Sequence, residues 1–231
     1  MNNNSLIDLE KERLELIKKY GLDEKSINEF KSKIKKVSEE EATKLGSELF
    51  ETVSRRWFND NYEKVIELIY NGADIEYKDE QKGDFALIKC ARKNHKKTFA
   101  ALLKAGANVN QVNNYLTTAT MASARHGCRD ILEMLILMGA DINARCLDGD
   151  NAIMSAKRHS QVECFNMLVS ASAHLNNRNI LNETLIDLSS TANFDLSKLS
   201  SSILPSNNNG VTFDDTQNLL DEATQKLAKL K

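Results

Sequence analysis

The sequence predicts an all-α array of stacked helix pairs, and three observations carry that expectation. A short word recurs as GADI at 72–75, GANV at 106–109 and GADI at 139–142, with its glycines 34 and then 33 residues apart. An apolar stripe with helical spacing precedes each copy, and a polar turn followed by a short alanine-containing run comes after it. Self-similarity at this period marks small units that cannot bury an apolar face alone and stack to share one core.

Residues 5–57 read as helices. Leu6, Leu9, Leu14 and Ile17 form one stripe, ended by Gly21, and Ile27, Phe30, Ile34 and Val37 form a second. Ser38 followed by Glu41 is a capping-box signature opening a helix with Ala42, Leu45, Leu49 and Phe50. Residues 1–37 are expected to cover the apolar flank of the first unit, because the ends of a stacked array need covering. Their heptads are too few for a coiled coil. Trp57 is expected in the core of the first unit.

The array itself is expected over 38–190. Its longer helices carry Val65, Leu68 and Ile69; Phe99, Leu102 and Leu103; Ile131, Leu132, Leu135 and Ile136; and Phe165, Leu168 and Val169. Spacings of three and four put each set on one side of a helix. A glycine just past each helix supplies the left-handed cap that other residues adopt only with strain. The shorter helices fall at 86–95, 119–128 and 152–161, where Ala91, Ala124 and Ala156 let neighbouring units approach closely. Residues 191–231 are expected to form a Ser/Asn-rich linker and a last helix. That helix is capped by Thr212 with Asp215 and carries Leu219, Leu220, Ala223, Leu227 and Leu230. It either covers the distal end of the stack or docks elsewhere.

Composition agrees with this picture. One proline and nine glycines in 231 residues point away from a turn-rich β protein, and 6% aromatics require an aliphatic core. A net charge of −2 gives no global pull toward nucleic acid or membrane. The opening stretch is too polar for a secretory signal, and there is no apolar run near the roughly 20 residues that span a bilayer. A cytoplasmic protein is expected. Cys90, Cys128, Cys146 and Cys164 show no CxxC pair or partnered His, so they read as reduced structural thiols rather than zinc ligands.

The segments FALIKCA (85–91), TATMASA (118–124) and NAIMSAK (151–157), placed between the GADI-type words, resemble the Thr-Pro-Leu-His-x-Ala-Ala pattern of the ankyrin-repeat family. A weaker copy is TLIDLSS (184–190), and SAHLN at 172–176 stands where a further GADIN is due. The resemblance covers roughly 38–190, or about four to five repeats. It implies an ankyrin-repeat solenoid of antiparallel helix pairs with hairpin fingers, and a role as a protein-binding scaffold. The family proline is replaced by Ala86, Ala119, Ala152 and Leu185, which implies less rigid helix starts. The family histidine is replaced by Ile88, Met121, Met154 and Asp187, which implies loss of the usual finger-to-finger hydrogen bonds. Lys82 reads as a one-residue insertion that lengthens the first finger.

Catalytic signatures are missing. There is no Gly-rich phosphate loop, no GxSxG elbow and no HExxH. CLDGDNA (146–152) lacks the ligand alternation of a calcium loop. His95, His126, His159 and His174 fall at turn positions and form no cluster. Neither an enzyme nor a cofactor or metal site is expected.

Arg92, Arg125 and Arg158 recur every 33 residues, with Lys93, His126 and His159 beside them. In ankyrin-like units this position faces the concave surface, so stacking would build a basic ladder. The exposed finger and short-helix positions implied by the resemblance are Lys78, Glu80, Asp84 and Lys89; Val112, Asn114, Tyr115 and Thr117; and Arg145, Leu147, Asp148 and Asp150. Tyr115 and Leu147 are candidate apolar anchors. The expected function is a monomeric, non-catalytic scaffold that binds another protein, one with an acidic or phosphorylated segment, through its fingers and basic concave face. Alternatives are a binder of nucleic acid or a phosphorylated ligand through the arginines, or a bacterial effector acting on a host protein.

Overall fold

Three of the four longer helices end where glycine lets the backbone turn left-handed: φ is +92° at Gly72, +101° at Gly106 and +76° at Gly139. The residue after each glycine then donates its amide five residues back. Ala73 bonds Leu68, Ala107 bonds Leu102 and Ala140 bonds Leu135, at 2.9–3.0 Å. This closes the helix and starts the next finger. The computed structural model describes residues 11, 14–55 and 60–171. After a helical stretch at 14–20, α1 spans Glu24–Ser32, α2 Glu39–Ser54 and α3 Tyr62–Tyr70. Then come α4 (Ala86–Lys93), α5 (Lys96–Ala105), α6 (Ala119–His126), α7 (Arg129–Leu137), α8 (Ala152–Arg158) and α9 (Val162–Ser170).

The helices stack in two layers. Helices α2, α4, α6 and α8 pack side by side as the inner layer, and α3, α5, α7 and α9 as the outer one. Between them lie fully buried Ile69, Phe99, Leu102, Ile131, Leu132, Phe165 and Leu168. The expected all-α solenoid is what forms. Among the described residues, β pairing is limited to an isolated antiparallel bridge between Lys78 and Phe85 at the base of the first finger. Two inner helices replace the missing proline with a side-chain cap: Thr118 Oγ1 accepts the Met121 amide at 3.2 Å, and Asn151 Oδ1 accepts that of Met154 at 3.0 Å. Ser38 Oγ likewise accepts the Glu41 amide at the start of α2.

Three expectations need correction. First, the segment expected to cover the end of the first unit runs across the outer layer instead. Helix α1 packs on α5, and Phe30 meets the Tyr70 ring at the end of α3, with centroids 5.0 Å apart. Farther along the stack, Tyr20 Oη donates to Asp130 Oδ2 on α7 at 3.4 Å, and Lys19 and Lys96 lie 3.9 and 2.8 Å from the same oxygen.

Second, the fingers do bond to one another. The Asn114 amide donates to Lys82 O at 3.1 Å, and that of Leu147 to Tyr115 O at 3.0 Å. Side chains add further links, with the Asn108 amide donating to Glu76 Oε1 and that of Asp141 to Asn110 Oδ1. Backbone, carboxylate and carboxamide groups thus do what the absent histidine was needed for.

Third, Ala156 is one position out of register with Ala91 and Ala124. Lys157 occupies their column, buried with its ammonium 5.9 Å from the Phe165 ring centre. Burial pushes that ammonium down to about 8.

The extra residue in the first finger is visible as a longer turn. There the Asp79 amide pairs with Asp84 O and the Gly83 amide with Asp79 O, whereas the third finger closes with Cys146 to Asp150 and Gly149 to Cys146. Asp79 absorbs the insertion by accepting the Gln81, Lys82 and Asp84 amides on its carboxylate. Leu6, Leu9, Trp57, His174, the 172–176 and 184–190 copies with Leu185 and Asp187, and the expected linker and last helix over 191–231 lie outside the described residues.

Candidate partner-binding site

The ends of the inner helices and the finger tips enclose an open cavity of about 750 Å³ between the second and third fingers. Its walls come from Lys82 and Arg92 of the first unit; Tyr115, Thr117, Arg125 and His126 of the second; and Leu147, Asp150, Arg158 and His159 of the third. Met121 and Ala122 contribute apolar floor. The three arginines expected to stand in register do line this one space, because each occupies the last turn of a stacked inner helix.

They do not present equal charge. Arg92 Nη1 lies 2.5 Å from Asp84 Oδ2, and Arg158 Nη2 lies 3.1 Å from Asp150 Oδ2. In both cases the acid sits eight residues before the arginine, at the end of the finger. Eight residues before Arg125 stands Thr117, which carries no charge. Among the described residues no carboxylate pairs with Arg125, which is exposed. The cation ladder is reduced by its own fingers to one uncompensated guanidinium.

Beside Arg125, the His126 imidazole is held below the ordinary histidine range. Burial is the main cause, and the positive charges of Arg125 and Arg92 together with His159 add to it. His159 Nδ1 lies 2.9 Å from Ser155 O.

The apolar components are at the finger tips. Tyr115 is 54% exposed, Leu116 42% and Leu147 57%. Leu116 holds a left-handed backbone, with φ +55°, at the tip position where the neighbouring fingers place Gly83 and Gly149. A side chain there is strained, typically by about 1–3 kcal/mol. All three tips are left-handed, and the second alone of these three carries a side chain there.

The other expected contact residues divide in two. Asp84, expected to be exposed, is fully buried. It collects Arg92, the Lys89 ammonium at 3.1 Å and the Asn113 amide at 2.7 Å. Burial alone would raise its carboxyl, but the Asn113 hydrogen bond and the two cations outweigh this and hold it below the usual aspartate range. Lys89 is part-buried and also stands 5.5 Å from the Phe50 ring centre. Lys93 bonds Ser54 O and Arg55 O, capping the carbonyl end of α2. These residues hold the scaffold together rather than offering it to a ligand.

Lys78, Glu80, Asn114, Arg145 and Asp148 are exposed on the fingers, with Asp148 at the rim of the cavity. Val112 is exposed on the second finger. Leu116 and the floor residue Met121 had no place among the sequence-derived contacts. A column reading of 84, 117 and 150 would have revealed the missing acid. The strain at Leu116 needed the backbone.

Among the described residues no three His, Cys, Asp or Glu side chains group as a metal site would need, and no helix is long and apolar enough to cross a membrane. Stacked helix pairs with hairpin fingers over a concave face define a repeat scaffold. Residues 53–146 match the family model for ankyrin repeats, in three copies, so this stretch of the array is built of ankyrin repeats. No curated protein is significantly similar to it. Ankyrin repeats generally mediate protein–protein interaction.

Proposed function

We propose that this chain is a non-catalytic, monomeric binding module that seats an extended segment of a partner protein across its second and third fingers and the concave face beneath them. The observation that carries this reading is the exposure of Tyr115, Leu116 and Leu147 around one open cavity whose floor is apolar and whose inner wall holds Arg125. Exposed aromatic and aliphatic groups beside a cation are the usual anchors of protein interfaces. An acidic or phosphorylated partner segment suits the positive wall.

Reading the arginines as a nucleic-acid ladder has less support. Such binding relies on several free cations tracking a backbone, and Arg92 and Arg158 are already paired with acids. We further propose a cytoplasmic location, with delivery into a host cell as an effector as the alternative.

Site-specific photo-cross-linking tests the reading. A photoreactive residue at position 115 should trap a partner protein, whereas one at position 97, on the outer layer, should not. Tyr115→Ala combined with Leu147→Ala should lower the yield from a third photoreactive position, 148. Trapping from position 97 alone would refute the proposal.

A further inference from the structure

Repetition normally copies charge along with shape, so the unit that breaks the copy is informative. Two of the three inner-helix arginines face a carboxylate eight residues earlier, and the middle one faces Thr117. An acid at 117 would need no new backbone, since Asp84 and Asp150 occupy the same finger position in the flanking units. The middle unit therefore lacks the carboxylate of an otherwise repeated ion pair. Its Arg125 lies in the wall of the cavity, between two neutralised arginines and next to the strained Leu116 tip.

Resting on the binding reading above, we propose that the partner itself supplies the missing anion. One acidic side chain of the partner segment, a carboxylate or a phosphate, pairs with Arg125 in the place that Asp84 and Asp150 fill for their neighbours. An apolar residue close to it in the partner's sequence covers Tyr115, Leu116 and Leu147. The site takes one anion, not a row of them. Asp150 and Asp84 repel a second and third acid placed opposite Arg158 and Arg92, which makes the site selective against polyanions. Asp148 at the rim acts in the same direction.

The test uses the full chain and a random twelve-residue peptide library displayed on phage. Selected peptides are expected to share one acidic residue with an apolar neighbour. Replacing that acid by its amide, or introducing Arg125→Ala, should each weaken binding about tenfold or more, as loss of a charge-assisted pair does. The two changes together should cost no more than one. Thr117→Asp should do the same by supplying the carboxylate from within while leaving the melting temperature unchanged, and Arg158→Ala should change affinity less than about threefold. Peptides carrying phosphoserine or glutamate at the anchor decide between phosphate and carboxylate by which binds tighter, and either preference supports a single-anion site.

Peptides that depend on Tyr115 and Leu147, show no acidic preference and bind Thr117→Asp unchanged would overturn this inference and leave the binding reading standing. Peptides indifferent to Tyr115→Ala and Leu147→Ala, or the selection of none, would overturn both.

Discussion

Asp84 Oδ2 and Arg92 Nη1 lie 2.5 Å apart beneath the first finger, with the carboxylate wholly removed from solvent. Because Lys89 and Asn113 share that carboxylate, its removal leaves three donors without their acceptor. Asp84→Ala should cost about 3–5 kcal/mol in urea denaturation. Asp150→Ala, whose arginine is 36% exposed, should cost less than about 1 kcal/mol. Equal losses would mean that the first pair has no special structural role.

The same carboxylate sets a pH dependence. Its folded pKa lies below the unfolded value of 3.8, so its contribution is complete above that value and is lost as pH falls through the lower, folded one. In acid titrations of stability, the gap between wild type and Asp84→Asn should close below pH 3.8. A gap that widens on acidification would contradict this sign.

Leu116 stores strain that glycine would relieve. Leu116→Gly is expected to raise stability by up to about 1 kcal/mol, the relief being partly offset by glycine's greater freedom in the unfolded chain. It should also weaken partner binding. Parallel thermal melts and binding assays separate the two effects, and a less stable variant would show that the leucine serves the fold.

Asp130 fastens the N-terminal segment to the second unit through Tyr20 and Lys19, and Lys96 at the start of α5 shares its carboxylate. Asp130→Ala should raise amide exchange over 14–34 while leaving the amides of α4 and α6 protected, corresponding to a local loss of about 1 kcal/mol. Uniformly faster exchange would mean that the segment and the repeats open as one unit.

His126 should titrate below the ordinary histidine value of 6.5 in the free protein, since burial and nearby positive charge disfavour its protonated form. An NMR titration of its ring proton in wild type and Arg125→Ala measures this directly. The variant's value should move upward, and a downward movement would contradict the assigned charge effect.

The array was legible in the sequence because its signals are local and repeated. The glycine caps at 72, 106 and 139, the apolar stripes and the Lys82 insertion each depend on spacing alone, and each appears as expected. The path of the N-terminal segment was not legible, since its apolar stripes at Ile27 and Phe30 fit an end face or an outer face equally well. Burial of Asp84 and Lys89 was likewise hidden. Both are charged residues on a polar turn or a short helix, and only stacking against Asn113 and Phe50 encloses them. Finger-to-finger bonding is not legible from side-chain identity, because Lys82 and Tyr115 provide it through main-chain carbonyls. At the site, the arginine period is plain in the sequence, but the net charge depends on the acids at 84 and 150 and the threonine at 117, which meet the arginines only when each finger folds back on its helix.

The central claim is that partners bind in the groove between the second and third fingers. Amide chemical-shift mapping on the isotope-labelled chain, titrated with a library-selected peptide, tests it most directly. The expected result is a set of shifts concentrated at Tyr115, Leu116, Arg125, His126, Leu147 and His159, lost in Thr117→Asp. Shifts concentrated instead along Lys96–Ala105 on the outer layer would contradict it, whereas groove shifts unaltered by Thr117→Asp would overturn the single-anion pairing alone.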